Sequence, residues 1–196
     1  MRLPAIPVEQ WPSDLVDAMQ AADMTHTERG VATVFANSPP TLKAMLAFGM
    51  ALLSNCPLSP RTQELVRLRL AFLNQCDLCM LMRYRSARED GLTEEHVRQL
   101  EDYRNAPDFS DAEKAVLNFV DMTLRDPQSI TQAIFDDLGR FYSTREIVEL
   151  SALIAFYDGF GRLEAILDPV ELLPASYQDP SVERAPWRDE WELVRR

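Results

Sequence analysis

Apolar residues in this chain recur at helical spacing, and strict alternation is rare. A period of that kind specifies amphipathic helices and leaves little of the sequence for strands. Glycine is scarce, with six among 196 residues, and agrees with the same reading. The expected fold is all-α: one helical domain, of about seven to nine helices, over residues 13–169. An extended, proline-punctuated segment, 1–12, precedes it. A polar, proline-rich tail, 170–196, follows and is expected to pack on the surface or on a neighbouring subunit.

The punctuation supports this division. Ser13 reads as the cap of a first helix to about Ala22, and Thr25 to Asn37 as a weaker second one. Pro39-Pro40 and Ser59-Pro60 each open a further helix, because proline in a first turn lacks only an N–H that would be unpaired anyway. Asn74-Gln75 is a break, after which Cys76 opens a helix to about Asp90, closed by Gly91. Thr93 caps the segment from Glu94 to Tyr103. Ser110–Glu113 and Ser143–Glu146 are capping boxes, each ahead of an apolar helix. Thr131 to Tyr142 forms another helix between them. Glu64-Leu65-Val66-Arg67-Leu68 is echoed by Glu146-Ile147-Val148-Glu149-Leu150. The echo reads either as a duplicated unit or as two amphipathic helices with a common pattern.

Charge narrows the partners. The net charge of -11 repels nucleic-acid phosphates and anionic membranes, so neither is expected to bind. No apolar run approaches the roughly 20 residues that span a bilayer, and residues 1–24 lack the apolar stretch of a leader. Three cysteines, Cys56, Cys76 and Cys79, are too few and too odd a number for a secreted disulfide scaffold. A close pair in a reducing compartment points to redox chemistry or to metal, and the cytoplasm is the expected location.

The chemistry concentrates in Cys76-Asp77-Leu78-Cys79. Two cysteines three apart on a helix share a face and come close enough for a disulfide. At a helix opening, unpaired N–H groups and the dipole favour a thiolate. Read otherwise, the two are small buried hydrophobes. A zinc site takes about four ligands, and His26 and His96 are isolated from the pair in sequence, so no metal is expected. Glu64, in an apolar helical stretch, is either a partly buried proton carrier or a surface charge in a first turn. Cys56 beside Pro57 reads as a packing residue.

The run Arg61-Thr62-Gln63-Glu64-Leu65-Val66-x-Leu68-Arg69-x-Ala71-x-Leu73-Asn74-x-Cys76-x-x-Cys79 closely resembles the core of alkylhydroperoxidase D-like proteins, relatives of the carboxymuconolactone decarboxylases. Ser86 to Glu95, and Glu146 through Tyr157 to Leu163, resemble the family's later helices. The resemblance implies an all-α bundle of that type, a homo-oligomer (dimer, trimer or hexamer), and an antioxidant oxidoreductase of the peroxidase kind. It implies Cys79 as the peroxidatic residue, Cys76 as the resolving one and Glu64 as a proton relay. A small-molecule peroxide would be the substrate and a dithiol or lipoyl-type carrier the reductant, with no organic cofactor. One position departs from the pattern. Arg83 stands where the family usually has a histidine, four residues after Cys79. As arginine stays protonated, it either holds the thiolate by charge or pairs with an acid such as Glu64. The other implied readings are a decarboxylase acting on a lactone acid and a helical redox sensor without turnover.

Overall fold

The computed structural model describes residues 2–21, 26–167 and 192–194. Among them are ten α-helices: α1 (Ser13–Ala21), α2 (His26–Phe35), α3 (Pro39–Asn55), α4 (Pro60–Leu73), α5 (Asp77–Leu81), α6 (Arg85–Glu89), α7 (Glu94–Gln99), α8 (Asp111–Arg125), α9 (Gln132–Leu138) and α10 (Thr144–Leu167). One short 3-10 turn precedes α1 and two more lie between later helices, and two three-residue strands, β1 (Met82–Tyr84) and β2 (Glu192–Val194), pair in parallel. The fold is all-α, as the period of the sequence predicts.

The expected capping holds at Ser59, Thr93, Ser110 and Ser143, whereas Ser13, expected as a cap, is the first residue within α1. Ser59 accepts a hydrogen bond from the Thr62 amide. The Ser110–Glu113 box closes in both directions, and so does Ser143–Glu146. The helix expected from Cys76 to Asp90 is instead split into α5, β1 and α6. Local propensity favours one helix, but Met82–Tyr84 is drawn into a ladder with residues 192–194, whose arrival no local signal announces. That division raises the helix count above the expected range. Gly91, with φ of 82°, turns the chain out of α6, a conformation that favours glycine. Of the expected tail, 170–196, residues 170–191, 195 and 196 lie outside the described residues. Segment 192–194 returns to β1. The extended N-terminal segment docks through Trp11, which is buried and donates from Nε1 to the Ile6 carbonyl.

Helix α4 is the axis of the bundle. Val66 and Leu70 pack with α8 and α10, Leu65 and Leu68 with the α6–α7 region, and Ala71 with α5. It is buried on every side and still carries charge inward: Glu64, Arg67 and Arg69 are each at most 2% exposed. Burying an ion without a partner costs several kcal/mol, so each of these must be paired. Arg69 meets Asp121 of α8 through Nε at 2.7 Å and Nη2 at 3.0 Å. Arg104 and the Tyr103 hydroxyl also donate to Asp121.

Burial alone would push the Asp121 carboxyl up, but the hydrogen bond and charge of Arg69, with Arg104 behind it, pull it below the usual carboxylate range. Its folded value therefore lies below its unfolded one. The resulting stability is present above about pH 4 and is lost as the pH falls further. Asp121→Asn leaves Arg69 buried without a countercharge. It is expected to lose about 3–5 kcal/mol in urea unfolding at pH 7. The gap from the unaltered chain should narrow at pH 3.

Candidate functional site

The break between α4 and α5 sets the site. Asn74 ends α4, and Gln75 takes a left-handed φ of 52°, which swings the chain so that Cys76 caps α5. The Cys79 amide donates to the Cys76 sulfur at 3.3 Å. The two cysteines are joined as a disulfide, with Cα atoms 5.2 Å apart. Because α5 has only five residues, one N–H, rather than the dipole of a long helix, holds the Cys76 sulfur.

The two sulfurs are not equivalent. Cys79, 8% exposed, lines a cavity of about 390 Å³, while Cys76, at 1%, lies behind it. The cavity walls are largely apolar and aromatic: Phe35, Met45, Leu46, Phe156 and Phe160 contribute, with Arg67, Tyr84, Tyr157 and Glu164 as polar members. Helix α10 packs against the pair here. A Cβ on Gly161 would stand 3.9 Å from the Cys79 sulfur and 3.4 Å from Asn74 Nδ2. One turn on, Glu164 puts Oε2 3.1 Å from the Cys79 sulfur and 3.8 Å from that of Cys76. A disulfide sulfur has no proton to give. In the reduced pair the same geometry makes each thiol a donor to the Glu164 carboxylate.

Glu64 and Arg67 brace this loop from below. Arg67 Nε and Nη2 donate to the two Glu64 oxygens at 2.6 and 2.7 Å. Its remaining bonds go to the carbonyls of Cys79 and Met82, at 2.6 and 2.7 Å. The Tyr84 amide donates to Glu64 Oε1 at 3.1 Å, and the guanidinium lies over the Tyr84 ring. Burial, with Tyr84 beside it, pushes the Tyr157 phenol well up, so it serves as a neutral hydroxyl, 3.5 Å from that of Tyr84.

The structure thus brings Cys76 and Cys79 together. Glu64 is buried near them, its oxygens taken by Arg67 and the Tyr84 amide. The carboxylate at the sulfurs is Glu164. Arg83 departs from its expected place: in β1 rather than on a helix, its guanidinium bonds to Glu94 at 3.2 Å and to the carbonyls of Met80 and Met82. The acid it meets is Glu94, and the arginine that lines the cavity with Cys79 is Arg67. His96 stays away from the pair and caps α7 through Nδ1; the His26 side chain lies outside the described residues. Sequence reasoning missed Glu164, Arg67 and Tyr157. Arg67, three residues after Glu64, was visible as a helical neighbour. Glu164 is one acid on an apolar helix, and nothing local ties it to cysteines 85 and 88 positions earlier.

These features define a helical protein of the alkylhydroperoxidase D-like architecture that carries a disulfide-forming cysteine pair at its cavity. Residues 39–122 match the family model of the carboxymuconolactone decarboxylases. YnjA, an uncharacterised protein of Escherichia coli K12, is 25% identical over 112 residues, 57% of this chain and 62% of YnjA, so the match spans less than two thirds of that relative. The alkylhydroperoxidase AhpD core of a peroxidase-related protein from Ralstonia eutropha JMP134 superposes with a TM-score of 0.69. It covers 90% of this chain and 94% of its own at 19% identity. The debrominase Bmp8, solved as a cysteine-to-alanine variant with 2,3,4-tribromopyrrole, gives 0.68 over 86% and 90% at 15% identity. Those two show the shared fold. Residues 39–122 are thus similar to the carboxymuconolactone decarboxylase family, and the chain shares the alkylhydroperoxidase D-like fold.

The brace makes its own prediction. Arg67→Met strands a buried carboxylate and is expected to cost about 3–5 kcal/mol, whereas the double variant Glu64→Leu with Arg67→Met should lose far less. Chemical denaturation of the three proteins checks this. With Glu64→Leu measured alone as well, a double loss equal to the sum of the two single losses would show that the pair is not coupled.

Proposed function

We propose that this chain is a thiol-dependent peroxidase of the family's oxidoreductase side. The observation that carries the reading is the Cys79 sulfur, at the wall of a cavity, disulfide-bonded to a partner behind it and 3.1 Å from a carboxylate. In the reduced protein, Glu164 takes the Cys79 proton and the thiolate attacks the outer oxygen of a hydroperoxide. The O–O bond breaks, Cys79 becomes a sulfenic acid, and the leaving alkoxide takes the proton back from Glu164 as an alcohol. Cys76, its sulfur held by the Cys79 amide, then attacks the sulfenic sulfur. Water leaves and the disulfide forms. Two electrons from an external dithiol, a lipoyl-type carrier being suited to a recessed sulfur, restore both thiols.

Glu64 and Arg67 position the loop. Arg83, fully buried on Glu94, anchors the chain after α5. Among the described residues no helix is long and apolar enough to cross a membrane. The thiol cycle suits the reducing cytoplasm. The exposed apolar side chains of Phe48, Met50, Val148 and Ile166 fit association into a homo-oligomer.

The aromatic wall facing Cys79 favours a second reading, reductive debromination of an aromatic ring, the activity that the name of Bmp8 states for that protein. Two thiols would supply the electrons and bromide would leave. The same preparation separates the readings. With a dithiol reductant, consumption of an organic hydroperoxide is expected, and bromide release from tribromopyrrole without peroxide turnover would favour the second. Cys79→Ser should abolish turnover. Cys76→Ser should arrest the protein as a sulfenic acid that dimedone traps, visible by mass spectrometry. Glu164→Gln should slow the first step about 10²–10⁴-fold. A protein with neither activity, whose disulfide still cycles, would leave only a redox sensor.

A further inference from the structure

The two cysteine sulfurs and a Glu164 oxygen all lie within 4.8 Å of one another. Two thiolates and one carboxylate form a donor set for a thiophilic divalent cation of tetrahedral habit. Ligand counting along the sequence missed it, because Glu164 comes from α10, far from the pair in the chain. We propose that the reduced protein binds one Zn²⁺ through Cys76, Cys79 and Glu164, and that oxidation of the pair releases it.

Three features of the site support this. First, the spacing and turn are right. Cys76 at the cap of α5 and Cys79 three residues on hold their Cα atoms 5.2 Å apart, and the Cys79 amide already donates to the Cys76 sulfur. Such an N–H bond stabilises a thiolate whether the charge is free or shared with a cation. Second, the third donor is placed by packing. Helix α10 packs with Gly161 beside the Cys79 sulfur, and Glu164 on the next turn reaches both sulfurs. Third, Cys79 and Glu164 line the cavity, so a fourth ligand can come from water or a small molecule there. Three protein ligands with one open position is a common arrangement for zinc.

The balance is simple: Zn²⁺ enters, the two thiols give up two protons, and no electron moves. Disulfide formation removes two electrons and both thiolates, leaving one carboxylate, which cannot hold the ion. Binding and oxidation thus exclude each other, and zinc would shield the pair from peroxide.

The test uses Co²⁺ and Zn²⁺ on the full chain, reduced with a phosphine and then freed of it. Titration with Co²⁺ should give a thiolate-to-metal charge-transfer band in the near ultraviolet. It should saturate at one ion per chain and disappear on addition of Zn²⁺ or on oxidation to the disulfide. Cys56→Ala should leave the titration unchanged. Cys76→Ser and Cys79→Ser should abolish the band, and Glu164→Gln should weaken binding about tenfold or more. Circular dichroism establishes that each variant is folded. The proposal falls if the reduced chain gives no band, if the band survives in folded Cys79→Ser, or if Glu164→Gln binds as tightly as the unaltered chain. Cobalt binding without peroxide turnover would sink the peroxidase reading and keep the metal site; turnover without cobalt binding would do the reverse.

Discussion

The Glu64–Arg67 pair, sealed inside the central helix, is the interaction on which the site depends. Two opposite charges in low dielectric repay their lost hydration only when geometry is good and the remaining donors are satisfied. Both conditions hold here. Two short bonds join the partners, and the spare donors of Arg67 reach carbonyls on the two residues that flank the end of α5. The carboxylate takes the Tyr84 amide as well. A loop that would otherwise carry unpaired backbone groups is thereby bound to the most deeply buried helix of the bundle. The charge is costly to bury, and it fixes where Cys79 points.

A second consequence concerns the division of labour between acids. Glu64 has both oxygens committed to positions that build the loop. The acid beside the sulfurs comes instead from α10, half-buried and at the cavity wall. Separating the two lets one carboxylate brace the loop while the other faces the sulfurs. The echo between α4 and α10, whether a repeat or a common pattern, shows the same contrast. Asp158 and Gly161 stand at the same spacing from Glu146 as Cys76 and Cys79 do from Glu64. Asp158 accepts from Asn74, and Gly161 lies beside the Cys79 sulfur.

Much of the fold was legible because it is local. Caps at Ser59, Thr93, Ser110 and Ser143, prolines in first turns and the glycine at 91 act within a few residues of themselves, and the structure agrees with them. The cysteine pair was legible for the same reason, since a spacing of three settles its geometry. What sequence did not disclose depends on contacts across the chain. The strand at 82–84 exists because residues 192–194 lie beside it. Arg83 was assigned a helical direction that the strand removes. Glu164 acquires its meaning only when α10 folds onto α4.

That parallel pairing has an outcome for the order of assembly. Helices α4 and α5 emerge early from a ribosome, but the stretch that completes the ladder beside β1 is made far downstream. Non-local contacts of this sort close late. The nascent chain therefore holds its thiols on an unlatched loop until residues 192–194 have been made, and the redox loop gains its second brace only once the helices between have emerged.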